Sequence, residues 1–161
     1  MALLASAGML AIAHAFETFG HLAPCTLCLR EREIYWAALA IAGAATILMA
    51  TPQRANATRL ANVLLVLAFG YSALVAGYHA GAEWKWWPGP TTCSGGGHVN
   101  AADLTAFLKG ARAAMPACDK AAWVFLGISM AGWNAVISAA LAVASALAAA
   151  QGHPAGWTRR R

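Results

Sequence analysis

Four long apolar stretches dominate the chain, at about Ala2 to Phe19, Ile34 to Ala50, Leu60 to Tyr78 and Met130 to Ala150. Each approaches the ~20 residues (range ~17–25) that a helix needs to cross the hydrocarbon core of a bilayer. Only 11% of the 161 residues are charged and 60% are hydrophobic, against roughly 25% charged in an average soluble domain. The chain is therefore expected to be an all-α membrane protein, a four-helix transmembrane bundle forming a single domain over residues 1–161. The expected helices cover about 2–19, 34–50, 60–79 and 124–150, with loops at about 20–33 and 80–123. The first run lacks the basic start of a signal peptide and is longer than the ~7–15 apolar residues of such a segment, so it is read as a retained helix.

Arginine placement sets the expected orientation. The short loop from Thr51 to Arg59 carries Arg54 and Arg59, and the chain closes on Arg159, Arg160 and Arg161. Neither segment holds an acidic residue, which places both on the cytoplasmic side. With an even number of spans both termini lie there, and Cys25, Cys28, Cys93 and Cys118 all lie on the opposite face. In a bacterium that face is the periplasm, the compartment where disulfides persist, and the membrane is the inner one. The net charge of +5 follows from this topology and gives no reason to invoke nucleic acid.

The helices are rich in Ala, Gly and Ser, as in Ala37 to Ala45 and Ser138 to Ala146. Small residues let backbones approach closely in lipid, which favours a tight bundle. The long outer loop is expected to have structure of its own. Trp84, Trp86 and Trp87 beside Glu83 and Lys85 fit a segment at the headgroup level. Pro88 and Pro90 then lead to Cys93 and the run Gly95 to Gly97. Beyond it, Asn100 and Asp103 can cap a short amphipathic helix whose apolar face is Leu104, Phe107, Leu108 and Ala111.

The four cysteines carry the chemistry. A Cys-x-x-Cys pair closes too small a ring to staple distant parts of a fold, whereas its thiolate is readily acidified and exchanges easily. Cys25 and Cys28 stand at the head of the second helix, whose positive dipole end and free N–H groups are expected to favour a thiolate on Cys28. Arg32, one turn further on, can stabilise that thiolate or bind an electronegative ligand, or it can serve as a headgroup anchor; Glu31 and Glu33 oppose it. Cys93 and Cys118 read either as a structural staple or as an exposed, exchangeable couple, and four cysteines allow three connectivities. Zinc held by Cys25, Cys28, Cys93, His98 and Cys118 fits poorly, because structural zinc sites bring ligands in two close pairs and only one is present; no metal is expected. His14 and Glu17 share one side of the first helix, and an intramembrane acid is a functional candidate, though Glu17 is near enough to the outer end to reach the interface.

These residues resemble a known family. Pro24-Cys25-Thr26-Leu27-Cys28-Leu29-Arg30-Glu31-Arg32, then Tyr78-His79, the loop cysteines 93 and 118, and Trp123-Val124-Phe125-Leu126-Gly127 with Trp133 are similar to the DsbB family of bacterial inner-membrane disulfide-bond-formation proteins. The resemblance spans nearly the whole chain, although members carry a longer segment before the first helix. It implies a membrane thiol:quinone oxidoreductase that reoxidises a periplasmic thioredoxin-fold oxidase of the DsbA type. That relay to quinone keeps the bacterial periplasm oxidising, so the partner comes from the resemblance alone. Cys93 would be attacked by the partner, Cys118 would then attack Cys25, and Cys28 would be released as the thiolate that reduces a bound ubiquinone or menaquinone. Arg32 matches the family's quinone-site arginine, and His79 falls where the family has a histidine near the quinone head. The three glycines after Cys93 depart from the family by loosening the partner-facing segment.

Two other readings compete. A vitamin-K-epoxide-reductase-like protein shares the bundle, the Cys-x-x-Cys and a quinone, but its active pair follows the loop cysteines in the chain, whereas here it precedes them. A small transporter or metal sensor with structural cysteines would keep its function after all four were changed to serine.

Overall fold

The computed structural model describes residues 1–49, 54–90 and 118–151. Cys93, His98, the loop helix expected near residues 100–111 and the arginine tail at 159–161 lie outside the described residues. Four helices are present among the described residues: α1 (Ala2–Thr18), α2 (Thr26–Leu48), α3 (Arg54–Glu83) and α4 (Met130–Gln151). Within α3, Asn56–Glu83 is long and apolar enough to cross a membrane, as is Met130–Gln151, while α1 is a shorter apolar helix. Large apolar side chains such as Leu60, Leu67, Leu74, Val143 and Leu147 stand exposed along α3 and α4, as they would against lipid.

The most extensive seam joins α3 to α4, followed by α2 with α3 and α1 with α2. Small residues permit this closeness: Ala38 and Ala76 are fully buried. Around Ala38, the side chains of Leu10, Tyr35, Leu65 and Phe69 form the core, with Leu39, Leu141 and Ala142 packed against it.

The helices run past the apolar spans read from the sequence, and the ends explain why. α2 begins at Thr26, well before Ile34, because Cys25 adopts an extended N-cap conformation (φ −79°, ψ 174°) and its sulfur accepts the Cys28 N–H. The residues from Cys28 to Arg32 thus lie on the first two turns of a helix. At its other end α3 reaches Glu83, and Lys85 then takes a left-handed conformation (φ 61°) while Trp86 N–H bonds back to Gly81 O. The chain reverses so tightly that the Trp87 ring would lie 2.0 Å from any Cβ on Gly81. Glycine is required there. Trp87 stacks on Tyr78 at 6.0 Å between ring centroids and donates its indole N–H to Tyr78 O.

The fourth helix was expected from about residue 124, but it starts at Met130. Residues 124–129 instead form an antiparallel hairpin, β1 (Val124–Phe125) and β2 (Ile128–Ser129), pairing Val124 with Ser129 and Phe125 with Ile128. Leu126 (φ 52°) and Gly127 (φ 78°) make its two-residue turn, the doubly left-handed geometry that matches strand twist. Trp123 stacks on Phe125 and also meets Phe16 of α1, at 5.6 and 5.3 Å between centroids. Trp133 donates its indole N–H to Phe125 O. The hairpin thereby bridges α1 and α4 across one end of the bundle.

Candidate functional site

That end contains the site. Cys25 is 4% exposed and Cys118 is 1% exposed, and the two pack together with Cys28 and Leu27. Cys25 and Cys28 are free thiols with their sulfurs 2.8 Å apart, and Cys118 is disulfide-bonded. Thr26 Oγ1 lies 3.5 Å from Cys118 Sγ. The structure therefore brings Cys118 to the Cys-x-x-Cys pair across 93 residues of sequence.

His79 completes the group. Its Nε2 lies 3.7 Å from Cys25 Sγ, and its Nδ1 lies 2.9 Å from Glu31 Oε1. An ionised carboxylate only accepts, so Nδ1 donates to Glu31 and leaves Nε2 facing the Cys25 sulfur. Glu31 Oε2 in turn accepts from Asn134 Nδ2 at 2.5 Å. Asn134 Oδ1 accepts the Tyr35 hydroxyl at 2.8 Å, Tyr35 lies 2.9 Å from Ser138 Oγ, and Ser138 donates to Ser72 Oγ at 3.0 Å. A continuous buried chain of polar groups thus leads from Cys25 into the middle of the bundle and joins α2, α3 and α4. Buried polar networks are rigid when every member is satisfied.

The charge distribution on the pair differs from the expectation. The helix N-terminal N–H of Cys28 points at Cys25 Sγ, 3.2 Å away, so the favourable end of α2 serves Cys25. The thiol of Cys28 hydrogen-bonds the Cys25 sulfur as well, and with the backbone N–H it holds the Cys25 thiol below its ordinary range. The same contact pushes the Cys28 thiol up. With both thiols free, the N-cap geometry favours an anion at Cys25 over one at Cys28, where the sequence pointed to Cys28. The cause is geometric: the N-cap residue receives the helix N–H, and Cys25 is the N-cap.

Arg32 is offered by the sequence as a partner of the Cys28 thiolate, a binder of an electronegative ligand or a headgroup anchor, and the structure gives it partners of its own. Its guanidinium bonds Glu17 Oε2 at 2.5 Å and Ala13 O at 3.0 Å, joining α1 to α2. Glu17 is therefore a partner of Arg32, and His14 stands 3.8 Å from the same oxygen. Glu31 and Arg32, adjacent in sequence, face different neighbours: Glu31 turns to α3 and α4, Arg32 to α1. Nearby, Lys85 pairs with Asp119 next to Cys118, and this contact holds the Asp119 carboxyl below its usual range.

A cavity of about 340 Å³ opens beside the cysteines. Its walls include apolar side chains of α1, among them Met9, Leu10, Ile12 and Phe16, and its polar lining includes Cys25, Cys28, Glu31, Arg32, His79, Glu83, Lys120 and Asn134. The volume falls in the range of ~300–1,000 Å³ typical of small-molecule sites, which are likewise apolar with a few convergent polar groups. Cys25, Cys28, Arg32 and His79 line this cavity and Cys118 packs against the pair, while Cys93 and His98 lie outside the described residues.

Several contributors were not singled out from the sequence. Ser72, Asn134 and Ser138 occur in segments that read as apolar or as small-residue packing, and Tyr35 lies at the start of an apolar run. The available signal was the rarity of polar side chains inside spanning helices. Glu83 is also part of the site, with Oε1 3.7 Å from His79 Nε2.

A dithiol set at a helix N-terminus, a third cysteine folded onto it and an apolar cavity alongside define a membrane protein of thiol–disulfide exchange. The chain matches the profile of Disulfide bond formation protein DsbB over residues 1–148, and it belongs to the DsbB family of membrane oxidoreductases of disulfide formation. A search of the curated proteins and of the solved structures finds no match to it.

Proposed function

We propose that the protein is a thiol:quinone oxidoreductase that reoxidises a periplasmic thioredoxin-fold oxidase of the DsbA type and delivers the electrons to a membrane quinone. The observation that carries this reading is the meeting of Cys25, His79 and Cys118, whose ligand atoms all lie within 4.8 Å of one another beside the apolar cavity. Cys118 needs only a short displacement to attack Cys25, which is the step a relay between two cysteine couples requires.

In this reading the four helices span the inner membrane with both termini cytoplasmic, and the cysteines face the periplasm. The partner's thiolate attacks Cys93 of a Cys93–Cys118 disulfide, forming a mixed disulfide and releasing Cys118. The Cys118 thiolate attacks Cys25 of the Cys25–Cys28 disulfide, and Cys28 leaves as the thiolate. Once Cys25 is bonded to Cys118 it no longer competes for the anion, so the reversal seen with both thiols free does not apply at this stage. The partner's second thiol then displaces Cys93 and leaves the partner oxidised. The Cys93 thiolate then attacks Cys118, which re-forms the Cys93–Cys118 disulfide and releases Cys25, and the Cys25/Cys28 dithiol would return to its disulfide by giving its two electrons to a quinone. The net reaction moves two electrons and two protons from the partner dithiol to the quinone.

A quinone supplies a two-electron, two-proton acceptor, and the residues present fit one. The α1 wall offers an apolar bed for a ring and tail, while Arg32 and His79 offer donors or proton carriers at the head. His79, oriented by Glu31, is placed to take a proton from Cys25 and hold it at Nε2. Glu17 keeps Arg32 at the cavity wall.

The test is an anaerobic assay in which reduced thioredoxin-fold oxidase is added to the purified protein with a soluble quinone, following quinone absorbance. The signal is expected to fall only when both cysteine couples are intact. Quinone reduction that persisted without Cys118 would eliminate the relay, and quinone left untouched by the intact protein would eliminate the activity.

A further inference from the structure

We infer that, when Cys118 is reduced, this same cluster is a binding site for one thiophilic divalent cation of the Zn²⁺ class, held by Cys25, Cys118 and His79. The sequence argued against zinc because only one close ligand pair is visible in it. Folding removes that objection by bringing in Cys118 and His79 from distant positions. Cys25 Sγ, His79 Nε2 and Cys118 Sγ are all buried and mutually within 4.8 Å. A tetrahedral zinc with Zn–S of about 2.3 Å and Zn–N of about 2.0–2.1 Å has S···N edges of about 3.6 Å and S···S edges of about 3.8 Å. The Cys25–His79 separation of 3.7 Å already matches such an edge. Cys28, 2.8 Å from Cys25, borders these three, and the fourth position of a tetrahedral ion is left to a solvent molecule.

Two further features point to a cation. The first is the orientation of His79, whose Nδ1 is bonded to the Glu31 carboxylate while Nε2 faces the sulfurs. A histidine that ligates metal almost always gives its other ring N–H to a carboxylate, carbonyl or water, and here Asn134 fixes the carboxylate in turn. The second is Glu83. Its side chain is 5% exposed, Oε1 lies 3.7 Å from His79 Nε2, and Oε2 is buried with no hydrogen-bond partner among the described residues. A positive ion beside Nε2 would add to the attraction that this carboxylate has to His79.

Binding displaces the thiol protons to solvent and leaves the sulfur oxidation state unchanged, so no oxidant or reductant takes part. In the oxidised protein the sulfurs are tied up in disulfides and the site does not form. The ion therefore reads the redox state and holds the reduced form out of the relay. That last consequence rests on the proposed function, whereas the binding does not.

The experiment uses the full chain in detergent, reduced with a phosphine, desalted anaerobically and titrated with Co²⁺ followed by Zn²⁺. The expected result is one Co²⁺ per chain with the thiolate charge-transfer and d–d bands of a tetrahedral ion, displaced by Zn²⁺. Those bands are expected to vanish when the same sample is oxidised to disulfides and to return on reduction, a control that needs no variant. Glu31→Gln is expected to weaken binding by about 10–100-fold, the usual effect of removing a ligand's supporting partner. Cys118→Ser should weaken it at least as much. Equal binding by oxidised and reduced protein, absence of the charge-transfer band, or undiminished affinity in Cys118→Ser would overturn the proposal. The readout is optical and requires neither quinone nor partner, so it can fail while the relay stands, and the converse holds as well.

Discussion

At the cysteine end of the bundle, Glu31, Tyr35, Ser72, His79, Asn134 and Ser138 tie α2, α3 and α4 together through hydrogen bonds between side chains. Toward the other end the same helices meet through small apolar groups, with Ala42 and Ala61 buried and Gly43 facing Leu3 of α1. Lipid offers no hydrophobic driving force between helices, so packing and polar contacts must hold them. The two ends divide that work. Small-residue packing sets how closely the helices approach but tolerates sliding along them, whereas a hydrogen-bonded network is satisfied in only one register. The polar end therefore fixes the register that aligns His79 with Cys25, and the apolar end keeps the helices close enough for it to matter.

The largest expected effect comes from removing the chemistry while leaving both ends packed. Cys28→Ser is expected to abolish quinone reduction, followed by absorbance, while a mixed disulfide with the partner still forms at Cys93 and is seen on non-reducing gels. Retained turnover would mean that electrons leave by another route. Next comes Glu31→Ala, which strands His79 Nδ1 and Asn134 Nδ2 together. Breaking a buried pair by removing one partner costs about 3–5 kcal/mol, and the expected outcome is a loss of stability of that order with turnover falling alongside. A variant with unchanged denaturation and turnover would show that the network does not set the register.

The apolar end should break by size instead. Ala42 is buried on α2 toward that end, and Ala42→Leu adds side-chain volume where helices touch. Overpacking of this kind costs about 1–3 kcal/mol, expected here as lower thermal stability in detergent with the apparent quinone affinity retained. If quinone affinity dropped instead, the two ends would not be separable. Arg32→Met probes the joint between α1 and α2, removing a guanidinium that bonds both Glu17 and Ala13 O. A hydrogen bond to a charged group contributes about 1.5–3 kcal/mol, so a rise of about tenfold or more in the apparent KM for quinone is expected. An unchanged KM would reduce Arg32 to an anchor.

The same division explains what could be read from the residues alone. Spans such as Leu60 to Tyr78 were legible because a bilayer imposes length and apolarity on a local stretch of chain. The Cys25/Cys28 pair was legible because its spacing is itself the chemistry. Which cysteine holds the anion was not, since that depends on Cys25 being the N-cap, a helix boundary that apolar content alone put near Ile34. The facing of Glu31 and Arg32 to different neighbours depends on how α1, α3 and α4 surround α2, and no spacing rule supplies that. Ser72 and Ser138 were hidden because a small hydroxyl residue in an alanine-rich helix has the same size pattern as close packing. The hairpin at 124–129 was hidden within the start of an apolar run, with Gly127 as its one turn signal.

The smallest effect concerns the segment that carries Cys118, held at the surface by the Lys85–Asp119 pair. The Asp119 carboxyl is held low because Lys85 hydrogen-bonds its ionised form. A carboxyl whose pKa is lower folded than unfolded contributes stability above its unfolded value, about 3.9, and loses it as the pH falls through the folded value. Comparing the protein with Asp119→Asn by thermal denaturation should therefore show a small difference at neutral pH that closes below about pH 4. High salt should shrink it as well, because exposed pairs are screened. A difference that persisted in acid would assign the contribution of Asp119 to something other than its charge, and the segment bearing Cys118 would then be held by the Trp123 and Phe16 contacts rather than by the ion pair.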